Sequence, residues 1–501
     1  MRALLLAALL CGCGPTFTLE VTPVVPLNQS DLLAEGDELV MESASGDAVT
    51  ATWSADGTEL PGVRVAAEDQ LSIRVSRGGE LIAYGELFPL NEDLLRGKQS
   101  ATVLLAATEQ LGNLGNVSPD MSRAGAAVVV TSSGRAFLFG GAEDLDQNAT
   151  ESSVLMLDTL DATSWTFTEA EGLSYGPVVY PSAAVVDVDG RELVLVTGGA
   201  ELNGGIRNYV DTGLLFDPAT LEIIWEGGTD TRHGDALTLV LGNGRVLTVS
   251  GEVSTGTTPG SFSAGSTASV ELFNPANQRG NSLAPNIAAF GHAGAVLQDG
   301  RAVVCGGSTP NVKDGQFNDL APDARCVVID GTGDIVPGDA PNLPVATNMH
   351  AMGTLADGRV LLVGGVTQNT SISSQGSPAT DAAYLWDPAG NGGWTPVGSL
   401  TEPRAGAHVL PLPDGRALIL GGASTGGPFA DDFDAPPRCM DIFDPTTETF
   451  DVAPATQCAA AGTGARPSVS LHPQQGVLSF SGISENGGGG GRLGYIPLPT
   501  P

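Results

Sequence analysis

"PDGRALILGGA", residues 413–423, is one sentence of β-structure: a turn pair, Asp414-Gly415, an apolar run from Ala417 to Leu420, then Gly421-Gly422. The chain says nearly the same thing at "SSGRAFLFGGA" (132–142), "VDGRELVLVTGGA" (188–200), "GNGRVLTVSGE" (242–252), "QDGRAVVCGGS" (298–308) and "ADGRVLLVGGV" (356–366). A worn copy, "QQGVLSFSGIS" (474–484), closes the series. The turn glycines Gly134, Gly190, Gly244, Gly300, Gly358, Gly415 and Gly476 are spaced 56, 54, 56, 58, 57 and 61 residues apart. Asp-Gly or Asn-Gly supplies the positive φ of a two-residue hairpin, so apolar strands are expected on both sides of it.

A second marker follows in each of the next copies: "LDTLDATSW" at Asp158, "FDPAT" at Asp217, "FNPAN" at Asn274, "IDGTG" at Asp330, "WDPAG" at Asp387 and "FDPTT" at Asp444. Asp or Asn closes such a turn through its side chain, and Pro presets φ. An aromatic often comes next, as Trp165, Trp225, Trp394 and Phe450 do. Each copy therefore predicts four strands and two tight turns. Four-stranded units at this period indicate a β-propeller rather than a solenoid.

These three markers, recurring in order over residues 100–498, resemble the kelch or galactose-oxidase-type propeller. The resemblance implies an all-β, seven-bladed ring closed by a strand from the other end of the chain. "SATVLLAATEQL" (100–111) precedes the first copy, and residues 101–108 are expected to complete the last blade. Six blades and a stray hairpin is the alternative. The third copy has Gly251 alone where the others have Gly-Gly, and the fourth lacks the late aromatic.

Before the repeat, residues 13–99 carry short alternating runs such as "QLSIRVS", in which Leu71, Ile73 and Val75 share one face of a strand. A small N-terminal β-sandwich of about seven strands would bury such faces. The chain opens with "MRALLLAALLCGCG", one basic residue and an apolar stretch too short to span a bilayer, which reads as an export signal over residues 1–12. Leu10-Cys11-Gly12-Cys13 resembles the bacterial lipobox, which implies lipid on Cys13; an ordinary signal peptide is the alternative. Gly14, rather than Asp, after that cysteine implies the outer membrane, facing either the periplasm or the surface.

Cys305, Cys326, Cys439 and Cys458 then remain, an even number suited to an oxidising compartment. Three pairings are possible. Cys305–Cys326 and Cys439–Cys458 are favoured because each pair falls within or beside one copy.

The formal charge of −35 argues against nucleic acid, whose phosphates demand Lys and Arg, and against electrostatic adhesion to anionic lipid. His292 and His350 stand eight residues before turn glycines, His408 seven and His233 eleven, and they could in principle ligate a metal. The same slots hold Ala126, Ala236 and Ala407 elsewhere, so packing is the expected role. No tyrosine stands near a free cysteine in the galactose-oxidase pattern, and no hydrolase or zincin motif occurs. Asp431, Asp432 and Asp434 lack the EF-hand spacing and read as a solvated acidic loop.

No cofactor, metal site or catalytic residue is therefore expected. The expected function is non-enzymatic binding of a protein or glycan at the cell envelope, with a copper or carbohydrate-active enzyme as the alternative. The second-to-third-strand connections of copies three to six are long and polar, and they gather on the face opposite the tight turns. Phe262, Phe317 and Phe429 in those connections are the expected apolar anchors.

Overall fold

The computed structural model describes residues 16–26, 29–43, 46–54, 61–66, 71–87, 100–108, 112–116, 123, 125–142, 152–158, 167–203, 206–250, 269–284, 287–288, 290–313, 316–336, 338–371, 376–390, 392–412, 414–426, 440–452, 468–472, 476–480 and 492–496. The described chain is all-β and divides into two compact units. The first unit runs to Ala106, while Pro26–Gln29 belong with the second.

In the first unit, Thr16–Val24 pairs antiparallel with Val63–Ala66 and parallel with Ser100–Leu104. A second sheet is ordered Ala48–Thr52, Glu38–Ser43, Leu71–Arg77, Glu80–Leu87, all antiparallel. Alternation works as expected: Leu71, Ile73 and Val75 are fully buried beside Leu39 and Met41. Ser100–Leu104 is therefore committed to Thr16–Val24, and the expectation that 101–108 completes the last repeat is corrected.

The second unit repeats a four-stranded antiparallel meander. We number its sheets by their first strands: Ala127–Val130, Ser182–Val188, Leu237–Val240, Phe290–Val296, Ala351–Thr354, Ala405–Pro411 and Ser468–His472. The outermost strand of the seventh sheet is Gly112–Asn116, which pairs antiparallel with Arg492–Ile496. A strand from before the first copy thus completes the last one.

The first strands of sheets one to six pack side by side in sequence order, and the first strand of the seventh lies against that of the first. Core forms between the faces of consecutive sheets. Phe137, Phe139 and Val154 of the first sheet pack on Val194, Leu214 and Phe216 of the second. Val303 and Val328 of the fourth meet Met352, Leu362 and Trp386 of the fifth. The late aromatics act at these junctions: the Trp225 ring lies 5.1 Å from that of Phe273, and Trp394 lies 5.7 Å from Trp386. From the first sheet to the sixth, each covers its neighbour, so each of these copies leans on the next.

The diglycine has a specific cause. In four sheets the chain entering the next sheet crosses directly against it. The second glycine donates its N–H across the junction: Gly141 to Val178 O at 2.8 Å, Gly199 to His233 O at 2.7 Å, Gly307 to Thr347 O at 3.0 Å and Gly365 to Arg404 O at 2.7 Å. The first glycine stands so close that a Cβ on Gly364 would lie 2.2 Å from the Arg404 carbonyl oxygen. Its φ of +66° also falls in the left-handed region. The motif is a docking point for the next strand, not only a strand end.

The first tight turn differs from expectation in five copies. Leu412 N–H donates to Arg416 O, and Gly415 N–H donates to Leu412 O, closing a three-residue loop with glycine alone at positive φ. The bonds of Leu241 with Gly244, Leu297 with Gly300, Leu355 with Gly358 and Thr131 with Gly134 repeat this geometry. Among the described turns, only that of the second sheet has two residues, with Asp189 at +55° and Gly190 at +79°. Three-residue loops of this kind need one left-handed residue instead of two. The second turn follows the sequence reading: the Asp217, Asn274, Asp330, Asp387 and Asp444 side chains each accept an N–H from two residues on.

Candidate functional site

Two regions could carry function: a cavity along the first strands, and the face bearing the second-to-third-strand connections.

A cavity of about 460 Å³ is lined by the opening residues of the first strands of sheets one to six. Its wall is built by a repeated backbone device. Nine residues before the turn glycine, Gly125, Asp235, Gly291, Met349 and Gly406 all have φ between +52° and +72°; in the second sheet, where Pro181 cannot adopt it, Tyr180 takes the role at +54°. This conformation aims each peptide at the neighbouring sheet. Tyr180 N–H donates to Gly125 O at 2.6 Å, Asp235 to Tyr180 O at 3.0 Å, Met349 to Gly291 O at 2.8 Å and Gly406 to Met349 O at 2.8 Å. Tyr180, Asp235 and Met349 hold this geometry without being glycine, at a cost of about 1–2 kcal/mol each. The return is a set of main-chain bonds between neighbouring sheets along the cavity wall, on which Ser182, Thr238 and His350 still carry unpartnered polar atoms. Among the described residues, Asp235 is the only acidic one in the lining.

The histidines divide by role. His233 bridges two sheets, its ring nitrogens contacting Thr231 O at 3.1 Å and Thr197 Oγ1 at 2.9 Å. His292 bonds Ala288 O at 2.7 Å through Nε2. His350, only 4% exposed, has no protein partner at either ring nitrogen. Burial pulls the pKa of His233 and His292 down to about 4, and that of His350 to about 3 with the proximity of His292 adding to the effect. All three are neutral imidazoles at neutral pH. His292, His350 and His408 line the cavity, but among the described residues no group of three or more His, Cys, Asp or Glu could hold a metal ion. Such a wall can enclose a ligand or water.

The tight-turn face is occupied by its own contacts. Arg135, Arg359 and Asn243 follow or precede their turn glycines and reach the next sheet's second turn. Arg135 donates to Pro218 O at 2.8 Å, Arg359 to Pro445 O at 2.7 Å and Asn243 to Gly331 O at 2.7 Å. Arg301, Arg359 and Arg416 also bond the Asp of their own turn. In the first and fifth sheets the arginine after the turn glycine and the next sheet's Asp-Pro turn are thus two halves of one cross-sheet contact, whereas Arg191 bonds Asp217 of its own sheet. Both motifs are plain in the sequence; their partnership is not.

The opposite face carries a second tier of short sheets. Ala302–Lys313 runs out of the fourth sheet into a hairpin with Gln316–Pro322, which pairs onward with Thr370–Ser371. Ala200–Asn203 and Ile206–Tyr209 form a smaller hairpin paired with Val178–Val179, and Ser377–Pro378 pairs with Thr425–Gly426. Connections expected to be polar loops are partly β-hairpins tied to neighbouring sheets. Phe317 lies in the outer hairpin strand opposite Val312. Phe262, Phe429, Asp431, Asp432, Asp434, Cys13, Cys439 and Cys458 lie outside the described residues. Cys305 and Cys326 are disulfide-bonded, as the favoured pairing has it.

No family model matches the chain, and no curated protein matches it. Among solved structures it is similar to that of YjhT, at 15% identity and a TM-score of 0.43, with 68% of this chain and 98% of that one covered.

Proposed function

We propose that this chain is a seven-bladed kelch-type β-propeller preceded by a small β-sandwich, tethered by lipid on Cys13 to the outer membrane. It binds a protein or glycan of the cell envelope without catalysis, metal or cofactor. Seven repeats of one meander, the last completed by a strand from before the first, support the architecture. The opening residues support export and lipidation.

One observation carries the choice of surface: on the tight-turn face Arg135, Arg359 and Asn243 are spent on bonds to the next sheet, and Arg191, Arg301 and Arg416 on acids of their own sheet. Binding therefore belongs to the other face, where the second-to-third-strand connections stand on a rigid support. With so much net negative charge, the rim favours a neutral or basic partner, and attraction weakens as salt rises.

The test uses the full exported chain. Cys13→Ser is expected to move it from the membrane fraction to the soluble one; continued membrane retention rejects the lipid tether. The soluble variant then captures partners from envelope extract, and each connection in sheets three to six is shortened to a Gly-Ser bridge. Capture is expected to fall on shortening and to survive Arg416→Ser on the turn face. The reverse pattern would mean that the turn face is the binding face.

A further inference from the structure

The disulfide joins residues directly opposite on the second and third strands of the fourth sheet. The sheet itself does not need it there. Five residues after the turn glycine, where Cys305 stands in the fourth copy, Val249 faces Val270 in the third sheet and Val363 faces Ala383 in the fifth; just before the diglycine of the second, Thr197 faces Gly213. Those pairs close the same rung without a covalent bond. Below the cystine, Val303, Val304, Val328 and Ile329 are fully buried and hold the ladder by packing.

The fourth sheet is distinguished by what lies beyond that rung. Its second strand continues for 12 residues without a break, from Ala302 to Lys313, into the outer hairpin. Immediately past the cystine, Gly306 N–H donates to Arg325 O at 2.9 Å and Asp323 N–H to Gly307 O at 2.8 Å. Thr347 N–H then bonds Asp323 O at 3.0 Å, leading into the first strand of the fifth sheet. The crosslink therefore sits at the hairpin's root, where the outer tier joins the inner sheet. Cys305 is 1% exposed whereas Cys326 is half-buried, so Cys326 is the more exposed half of the cystine.

We propose that Cys305–Cys326 is a redox-responsive clamp on the hairpin of residues 306–325, set between an inner sheet that is stable without it and an outer tier that is not. A dithiol reductant opens it: one thiolate attacks Sγ of Cys326, the S–S bond breaks, and Cys305 leaves as a thiolate that takes up a proton. The second thiol of the reagent then displaces Cys326, which is protonated in turn, and the reagent departs as a cyclic disulfide. Two electrons and two protons have passed to the protein. Loss of the crosslink restores conformational freedom to the closed loop between the cysteines. The proposal concerns the hairpin alone and does not rest on what the protein binds.

The experiment is amide hydrogen exchange on the full chain, oxidised and after dithiothreitol, with thiol alkylation reporting whether the bond has opened. Exchange across 308–313 and 316–322 is expected to accelerate by about tenfold or more, with 302–304 and 327–329 unchanged. A Cys305→Val/Cys326→Val double variant, which copies the rung of the third sheet, is expected to match the reduced protein. The proposal is overturned by an opened bond with unchanged hairpin exchange. It is equally overturned by loss of protection in the inner strands together with the hairpin, or by a bond that resists the dithiol under native conditions.

Discussion

Arg404 and Asp441 meet inside the sixth sheet at 2.6 Å, with side chains 1% and 0% exposed. Asp441 also accepts the Thr401 N–H at 2.9 Å and its hydroxyl at 2.6 Å, and Arg404 donates to Gly421 O at 3.0 Å. In the third sheet Glu271, three residues before its Asx turn as Asp441 is, accepts from Asp230 and Thr231 in the same way. A buried acid on the third strand thus ties down the chain as it enters the sheet. Asp441→Asn should lower stability by about 3–5 kcal/mol, because it strands a buried guanidinium. Urea unfolding measures this, and a loss under about 1 kcal/mol would show that the pair is not shielded as its burial implies.

The two classes of repeated glycine should separate on substitution. At Gly415 no atom lies within 4 Å of where a Cβ would stand, so Gly415→Ala meets only the cost of positive φ, about 1–2 kcal/mol. Gly364→Ala adds a collision with the Arg404 carbonyl and should cost several kcal/mol more. Equal losses at both sites, read from thermal or urea unfolding, would contradict the docking role given to the diglycine.

Acid should weaken the second unit well before its carboxylates matter. His233, His292 and His350 have folded pKa values of about 4, 4 and 3, all lowered by burial from 6.5. Below pH 6.5 the unfolded chain takes up protons that the folded one refuses. Stability is therefore full above 6.5 and drains as pH falls toward 4, on the order of 2 kcal/mol per histidine by pH 4.5. Glu271, raised by burial, acts in the opposite direction, but it is one group against three. Urea midpoints between pH 7.5 and 4.5 should fall steadily, and His350→Gln should flatten the slope.

The first unit should answer pH with the other sign. Burial lifts Glu86 to about 7, and its Oε1 has no partner. Its folded pKa lies above the unfolded value, so the stability associated with its proton is intact below 4.5 and lost as pH rises through 7. Glu86→Gln should therefore slow hydrogen exchange in Glu80–Leu87 at pH 8 and leave it nearly unchanged, after correction for intrinsic rates, at pH 5. No difference at pH 8 would mean that the carboxylate is already accommodated.

Where the sequence is legible, a residue's effect is local. Positive φ at the turn glycines, Asx turns at Asp217 or Asp444, and alternation at Leu71, Ile73 and Val75 all follow from residue type and spacing. What escapes a reading of the sequence depends on partners far along the chain. Asp-Gly does not distinguish a two-residue from a three-residue loop, although the longer interval from Gly190 to Gly198 holds the clue. Apolar "ATVLLAAT" is the natural candidate for the closing strand, yet the structure uses "GNLGN", because an outermost strand has little to bury while Ser100–Leu104 supplies the first unit. Gly125, Gly291 and Gly406 stand at one offset in the sequence, but the belt they form with Asp235 and Met349 requires the neighbouring sheets to be in place. His350 fits a packing role by position; its unpartnered nitrogens are visible only in the structure.

The pairing of Gly112–Asn116 with Arg492–Ile496 also sets an order of events during synthesis. Gly112–Asn116 is made before the strands of the first sheet, whereas its partner Arg492–Ile496 is made after those of the sixth. Bringing together segments so distant adds little to the free-energy cost, since doubling a loop costs only about 0.6 kcal/mol, but contacts this non-local are slow to find. Until then Gly112–Asn116 waits unpaired, and the first strand of the first sheet lacks the neighbour that Ser468–His472 supplies. A nascent chain therefore accumulates sheets while Gly112–Asn116 still lacks its partner, and the seventh sheet is completed only once Arg492–Ile496 has been made.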